Sequence, residues 1–233
     1  YLKNNNAYYW LIYDKNDAYG NIDYDKWELM DRWGIVLHDA DYSNSTDIDA
    51  RMTDFDGIPV VGVCENAFFN DKEITSIKLS NNLERIENGA FWGASNLKTI
   101  TFSDSGKGLK KIGSLAFKDC SSLESIDLSN AEITEIPVRA FENCTSLKSI
   151  KLPSTVTKIA DNAFAGCSNL EEIEGLEQCK ISELSATAFD GCVRLKDINL
   201  SNATIATIPD QIFSGMRGLI SATVPKTVTS IGT

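Results

Sequence analysis

Apolar residues recur along most of this chain with a period of 23 to 26 residues, and each period repeats the same order of apolar and polar positions. A phenylalanine marks every period: Phe68, Phe91, Phe117, Phe141, Phe164, Phe189 and Phe213. Aliphatic residues stand six positions after and five and eight positions before each phenylalanine. Self-similarity at this period is typical of a solenoid, in which repeats too small to fold alone stack into one continuous core.

Two further columns of the repeat predict its local structure. The residues nine and eleven positions after the phenylalanine are apolar in nearly every repeat, with Gly175 the one break in the second column. That spacing of two is the period of a strand with one buried face. The position two after the phenylalanine is always Gly, Asn or Asp, residues that adopt left-handed backbone at low cost: Asn70, Gly93, Asp119, Asn143, Gly166, Gly191 and Gly215. We therefore expect one strand and one tight turn with positive φ in each repeat.

The pattern L-x-x-I-x-L followed by I-x-x-x-A-F-x-x-C resembles the BspA-like, or Treponema-type, leucine-rich repeat family. The resemblance extends from Ile58 to Thr233 and is clearest in KLPSTVTKIADNAFAGCSNLEEI. It implies an α/β repeat solenoid, a right-handed leucine-rich repeat with a parallel sheet on its concave side and about seven repeats. It also implies a bacterial surface or secreted protein, because members of the family bind host proteins or other cells.

The first part of the chain does not repeat. Residues 1–56 hold twelve acidic and five basic residues and three of the four tryptophans, Trp10, Trp27 and Trp33. Because a solenoid needs a terminal cap, we interpret 1–56 as an acidic, aromatic-rich N-terminal cap and 57–233 as the solenoid. Within the cap, Tyr8 to Tyr13 and Ile35 to Leu37 are predicted strands, and Asp25 to Trp33 is a candidate short helix.

Two neighbouring aromatic residues, Phe69 and Trp92, occupy a column that is otherwise mostly polar and therefore faces outward. The favoured interpretation is that the N-terminal segment covers them, because exposed aromatic pairs are uncommon on soluble monomers. The alternative is an exposed aromatic patch that binds a ligand.

Charge and termini narrow the function classes. The chain has 33 acidic and 22 basic residues, a net charge of −11, which argues against binding to nucleic acid or anionic membranes. No apolar run approaches the roughly 20 residues of a membrane span.

The chain lacks an initiating Met and stops where the next A-F pair would come. We therefore expect a processed chain or fragment, with a targeting sequence removed upstream and further repeats downstream.

The candidate chemistry is sparse, and no cofactor is expected. One cysteine per repeat stands three positions after the phenylalanine at Cys120, Cys144, Cys167 and Cys192. Stacked Cβ atoms are too far apart for disulfides, so we expect free buried thiols.

A single histidine, His38, excludes a multi-histidine metal cluster. The loop from Asp14 to Asp25 is similar to a calcium loop, but its spacing is off by one residue and its final Glu is missing, so a polar turn is favoured.

The predicted ligand surface is the concave sheet, whose outward positions carry charge of both signs and no aromatic residue. The candidate binding residues are Lys98, Lys148, Lys151, Glu171, Glu172, Glu174 and Lys196. Such rungs of opposite charge suit a protein ligand, although they also stabilise a solvated sheet. We expect a monomeric, non-enzymatic protein-interaction or adhesion module. The alternatives are a carbohydrate-binding protein, which exposed aromatic residues would favour, and a recognition arm of a larger surface enzyme or assembly.

Overall fold

A computed structural model of the chain describes residues 60–79 and 82–232, together with the backbone of four short strands nearer the N-terminus. These four strands are β1 (Leu2–Asn4), β2 (Ala7–Tyr9), β3 (Ile35–Leu37) and β4 (Asp47–Ala50). The remaining strands alternate along the chain between two parallel sheets, so that each repeat contributes one strand to each sheet.

The first sheet, here called the major sheet, uses the strands that follow each phenylalanine. After β4 it contains β6 (Ser76–Leu79), β8 (Thr99–Phe102), β10 (Ser125–Asp127), β12 (Ser149–Lys151), β14 (Glu172–Glu174), β16 (Asp197–Asn199) and β18 (Ser221–Thr223). Its strands pair in register, so that Ile126 lies beside Ile150 and Ile150 beside Ile173. Equivalent residues of successive repeats are therefore direct neighbours.

The second sheet, here called the minor sheet, uses the strands that precede each phenylalanine. After β3 it contains β5 (Val60–Val63), β7 (Arg85–Ile86), β9 (Lys111–Ile112), β11 (Glu135–Ile136), β13 (Lys158–Ile159), β15 (Glu183–Leu184), β17 (Thr207–Ile208) and β19 (Ser230–Ile231). The leucine-rich repeat solenoid of about seven repeats with a parallel sheet is confirmed. Helical content is low: residues 60–79 and 82–232 contain two short segments with 3-10 hydrogen bonding, Ser103–Gly106 and Leu176–Gln178, and in the first of them Asp104 and Ser105 have left-handed backbone.

Strands from the N-terminal segment continue both sheets. β3 pairs in parallel with β5, and β4 pairs in parallel with β6, whereas β1 and β2 form an antiparallel pair. Residues 47–50 thus add a strand to the major sheet ahead of the first phenylalanine repeat. The division at residue 56 stays a prediction, and the candidate helix from Asp25 to Trp33 lies outside the described residues.

The core is a stack of phenylalanine rings flanked by the aliphatic columns. Six rings, from Phe68 to Phe189, are fully buried and lie parallel, with neighbouring centroids 5.0 to 5.8 Å apart and planes within 8° of each other. Phe213, in the last repeat, is only partly buried. Where Gly175 interrupts the apolar column, the 3-10 turn that follows it buries Leu176.

The tight turns have the predicted backbone conformation. All seven residues two positions after the phenylalanines have positive φ, between 57° and 77°. A second left-handed position, two residues before the phenylalanine, was not predicted and includes Leu115 and Arg139. The N–H of Leu115 donates to the carbonyl of Val138 in the next repeat at 3.0 Å. This inter-repeat hydrogen bond helps offset the strain of left-handed backbone at a residue with a bulky side chain.

Proline residues coincide with the two interruptions of the minor sheet. In five repeats, the N–H that follows the strand donates to a carbonyl of the preceding repeat, as Ser185 does to Ile159 at 3.0 Å. Pro137 and Pro209 occupy the same position after β11 and β17 and have no N–H to donate. The minor sheet breaks before these two strands, between β9 and β11 and between β15 and β17.

The major sheet breaks between the same repeats. Its pairing stops between β8 and β10 and between β14 and β16. These are the points where the two longest repeats insert the 3-10 turns Ser103–Gly106 and Leu176–Gln178. The strand pairing of both sheets is therefore interrupted at two places. Other backbone hydrogen bonds still cross these places, from Phe117 to the carbonyl of Ala140 at 2.8 Å and from Lys196 to that of Glu171 at 3.2 Å, and the apolar core is continuous.

Candidate functional site

The seven predicted binding residues lie on the strands of the major sheet or directly before them, and none of their side chains is buried. Lys151 and Glu174 belong to β12 and β14 and are paired in register. The outward positions of the sheet contain no aromatic side chain, and Ser or Thr occupies many of the positions between the charges.

Most charges on this face are paired with an opposite charge in the neighbouring repeat. The ammonium group of Lys151 lies 2.8 Å from the Glu174 carboxylate, and Lys98 lies 3.3 Å from Glu124. Lys196 binds Glu171 in the same way. The hydrogen bond that Lys151 donates to Glu174 raises the pKa of Lys151, and the hydrogen bond that Lys196 donates to Glu171 lowers the pKa of Glu171. Each exposed pair stabilises the fold only slightly.

This pairing follows from the in-register stack. The column seven positions after the phenylalanine alternates in sign over five repeats: Lys98, Glu124, Lys148, Glu171 and Lys196. Strands of one sheet lie about 4.8 Å apart, so a column of like charge would be repulsive. The sequence-based set of binding residues omitted Glu124, which the alternation of this column would have identified.

Two charges of the predicted set have no ion pair with any described residue. They are Lys148, just before β12, and Glu172, the first residue of β14. Both are exposed, and the residue beside Lys148, Ser149, is the register partner of Glu172. The centre of the face thus offers one cation and one anion that form no ion pair with a described residue, although each still interacts electrostatically with a charge nearby, Lys148 with Glu171 and Glu172 with Lys151.

A second surface runs along the edge of the solenoid where the chain turns after each phenylalanine; we call it the aromatic edge. Phe69 and Trp92 meet there edge to face, with centroids 5.1 Å apart. Phe69 is 52% exposed, and the interpretation that the N-terminal segment covers the pair stays a prediction. A cavity of about 440 Å³ opens beside these rings and extends to Asn143 and Thr145.

Hydrogen bonds across the repeats hold the aromatic edge in place. The indole Nε1 of Trp92 donates to Oδ2 of Asp119 at 3.1 Å, and Nδ2 of Asn143 donates to Oδ1 of the same carboxylate at 2.8 Å. Sequence analysis assigned Asp119 and Asn143 only to the turn column. Both residues belong to the repeats that follow the repeat of Trp92, and this order of the repeats is the signal that identifies them as neighbours of the indole ring.

Comparisons with known proteins agree with the repeat geometry. The family model of the BspA type leucine rich repeat region matches residues 62–182 and 134–233, with six copies. The chain belongs to the BspA-type leucine-rich repeat family. None of the curated proteins matches it.

Several solved structures of bacterial leucine-rich repeat proteins have a similar fold. A leucine-rich cell surface protein of Faecalibacterium prausnitzii is 22% identical with a TM-score of 0.61, over 86% of this chain and 68% of that one. A leucine-rich repeat protein of T. pallidum is 28% identical with a TM-score of 0.50, over 70% of this chain and 83% of that one. A leucine-rich repeat protein of Eubacterium ventriosum is 18% identical with a TM-score of 0.57, over 85% of this chain and 44% of that one.

The cysteines of the BspA-type repeats are structural. Cys120, Cys144, Cys167 and Cys192 are free and buried, as predicted, and Cys64 and Cys179, for which no prediction was made, are free as well. Each of these four thiols donates to the carbonyl of a phenylalanine in the preceding repeat, for example Cys144 to Phe117 at 3.1 Å. Burial raises the pKa of all six thiols. They are therefore poor nucleophiles at neutral pH.

The remaining sequence-based candidates yield no further site in the described part of the chain. The possible calcium loop from Asp14 to Asp25 and His38 lie outside the described residues. Elsewhere, the described residues contain no cluster of His, Cys, Asp and Glu suited to a metal ion, and none of their helices could cross a membrane. The BspA-type family is generally non-enzymatic, and leucine-rich repeat proteins generally bind proteins.

Proposed function

We propose that this chain is a non-enzymatic protein-interaction and adhesion module of a bacterial surface or secreted protein. Its ligand is a protein on a host or another cell, bound on the outward face of the major sheet by a monomeric chain. The observation that carries the proposal is the unpaired state of Lys148 and Glu172 in a face whose other charges from the predicted set are paired.

The physical argument compares what a paired and an unpaired charge gain from a ligand. A charge that is already paired gains little when a ligand supplies a second partner, whereas an unpaired charge gains a new one. Lys148 and Glu172 have opposite signs and lie on neighbouring repeats, so they fit a ligand that presents an acidic and a basic group close together. Lys98, Lys151, Glu171, Glu174 and Lys196 keep the face hydrated and in register.

The test is binding of the purified chain to a panel of immobilised extracellular matrix proteins at physiological salt. The variant Lys148→Glu should weaken binding to any protein that is captured by at least about tenfold, because the unpaired cation becomes an anion. The matched control is Lys180→Glu, which changes the net charge equally at an exposed lysine outside both sheets. The control should bind as the unchanged chain does.

Two results would overturn the proposal. One is a panel from which no protein binds above background. The other is a protein ligand that the major-sheet variant and the control bind equally well.

The recognition-arm alternative uses the same face and differs only in what the chain is attached to. It would be favoured if the full-length gene product joins these repeats to a catalytic domain. The carbohydrate alternative uses a different surface, the aromatic edge, because the outward major sheet has no aromatic ring on which a sugar could pack.

A further inference from the structure

We propose that the aromatic edge is a second binding site, specific for a neutral saccharide. The site is the cavity of about 440 Å³ that extends from Phe69 past Trp92 and Asp119 to Thr145. It lies on the turns that follow the phenylalanines and uses none of the residues assigned to the protein-binding face. The two sites are therefore independent.

The aromatic residues of this edge are not required by the repeat. The residue after the phenylalanine is Lys118, Glu142, Ala165, Asp190 or Ser214 in the five other repeats, all of which have the same left-handed backbone at the next position. Phe69 is 52% exposed, and Trp92 is only partly buried. Exposed large aromatic rings on a soluble protein indicate a contact surface. The apolar C–H face of a pyranose ring packs on such rings while its hydroxyls stay outside.

The rings are held in a defined position before any ligand arrives. The hydrogen bond from Trp92 to Asp119 fixes the indole, and the second oxygen of Asp119 is fixed by Asn143. Phe69 packs against the indole edge to face. Because these side chains are already ordered, a ligand loses less conformational entropy in binding them.

The polar lining favours a neutral ligand with many hydroxyl groups. The cavity contains one lysine, Lys72, and one aspartate, Asp119, so its formal charge is zero. Lys72 donates to the carbonyl of Gly93 at 2.6 Å, and both oxygens of Asp119 accept hydrogen bonds. The hydroxyls of Ser121 and Thr145 donate to backbone carbonyls, which leaves their oxygens as acceptors for ligand hydroxyls.

The length of the site indicates an oligosaccharide. The lining residues come from four successive repeats, from Phe69 to Asn143. At about 4.8 Å per repeat, the edge is roughly 14 Å long. That length accommodates two or three sugar units laid along the solenoid axis, with the ring nearest Phe69 and Trp92 stacked on them.

The test is a glycan array followed by calorimetry on the best neutral oligosaccharide. Trp92→Ala should weaken binding by at least about tenfold, as expected when a central aromatic contact is truncated. Trp92→Phe keeps a ring but loses the bond to Asp119 and should bind with intermediate affinity. Val193→Ala shortens an exposed apolar residue elsewhere and should leave affinity unchanged. Affinity should vary little with salt, because the ligand carries no charge.

The outcomes separate this proposal from the protein-binding face. The variant Lys148→Glu should retain saccharide binding whether or not a protein ligand is found. The proposal is refuted if no neutral glycan binds, if only anionic glycans bind, or if Trp92→Ala binds normally while its thermal melt shows an intact fold. A protein ligand that is lost with Trp92→Ala, in the absence of any glycan ligand, would assign the aromatic edge to protein binding.

Discussion

Replacing Phe141 by alanine should destabilise the solenoid strongly, because this ring lies in the middle of the phenylalanine stack. It is fully buried, with Phe117 at 5.2 Å on one side and Phe164 at 5.5 Å on the other. Truncation of a buried phenylalanine costs about 3–5 kcal/mol through lost transfer energy and the cavity that remains. The close inter-repeat packing leaves little room for collapse, so we expect the upper part of that range.

The matched comparison is Phe213→Ala in the last repeat. Phe213 is partly buried, and among the described residues it has no stacked ring neighbour. Its truncation removes less buried surface and breaks no ring contact, so its cost should be about half that of Phe141→Ala or less. The difference between the two variants measures the extra burial and the ring contacts of Phe141 together.

Urea denaturation followed by circular dichroism measures both free energies of unfolding, and calorimetry gives the midpoint temperatures. In a chain of this size, each kcal/mol lowers the midpoint by about 2–4 °C, so Phe141→Ala should lower it by roughly 6–20 °C. A loss below about 1 kcal/mol for Phe141→Ala would refute the reasoning. An equal loss for Phe213→Ala would show that neither the extra burial of Phe141 nor its ring contacts add stability.

Two further predictions concern the thiols and the proline breaks. Burial raises the pKa of Cys192 from 9.0 to about 12. Between pH 9 and 12 the thiol therefore ionises in the unfolded chain but not in the folded one, so the folded state loses stability as the pH rises through this range and is unaffected below it. Urea unfolding from pH 8 to 11 should therefore show a steeper loss for the unchanged chain than for Cys192→Ala; parallel curves would contradict this. Pro209→Ala supplies an N–H opposite the carbonyl of Leu184, and the hydrogen exchange of this amide should be as slow as that of Ser185. The net change in stability should be small, because the new hydrogen bond is offset by the greater backbone entropy of the unfolded chain. Rapid exchange at residue 209 would show that the proline does not cause the break.

The sequence by itself determined the repeat and the positions that face the core. The seven phenylalanines, the aliphatic columns and the turn column of Gly, Asn and Asp recur at one period, and only an in-register stack buries them together. The positive φ at Asp119 and Asn143 and the free state of Cys144 and Cys167 follow from the same periodicity. These features depend on a residue's place within its repeat, which the sequence states directly.

Only the tertiary structure decided which residues of neighbouring repeats make contact. The bond between Trp92 and Asp119 joins different columns of two repeats, and its existence depends on the lateral offset between them. The left-handed conformation of Leu115 is unfavourable locally and is supported by a carbonyl of the next repeat. Which charges of the major sheet form ion pairs, and that Lys148 forms none with a described residue, likewise depends on how far each side chain reaches across the stack. A periodic sequence specifies which residues of each repeat are buried, whereas the contacts between side chains of successive repeats are set by the geometry with which the repeats stack.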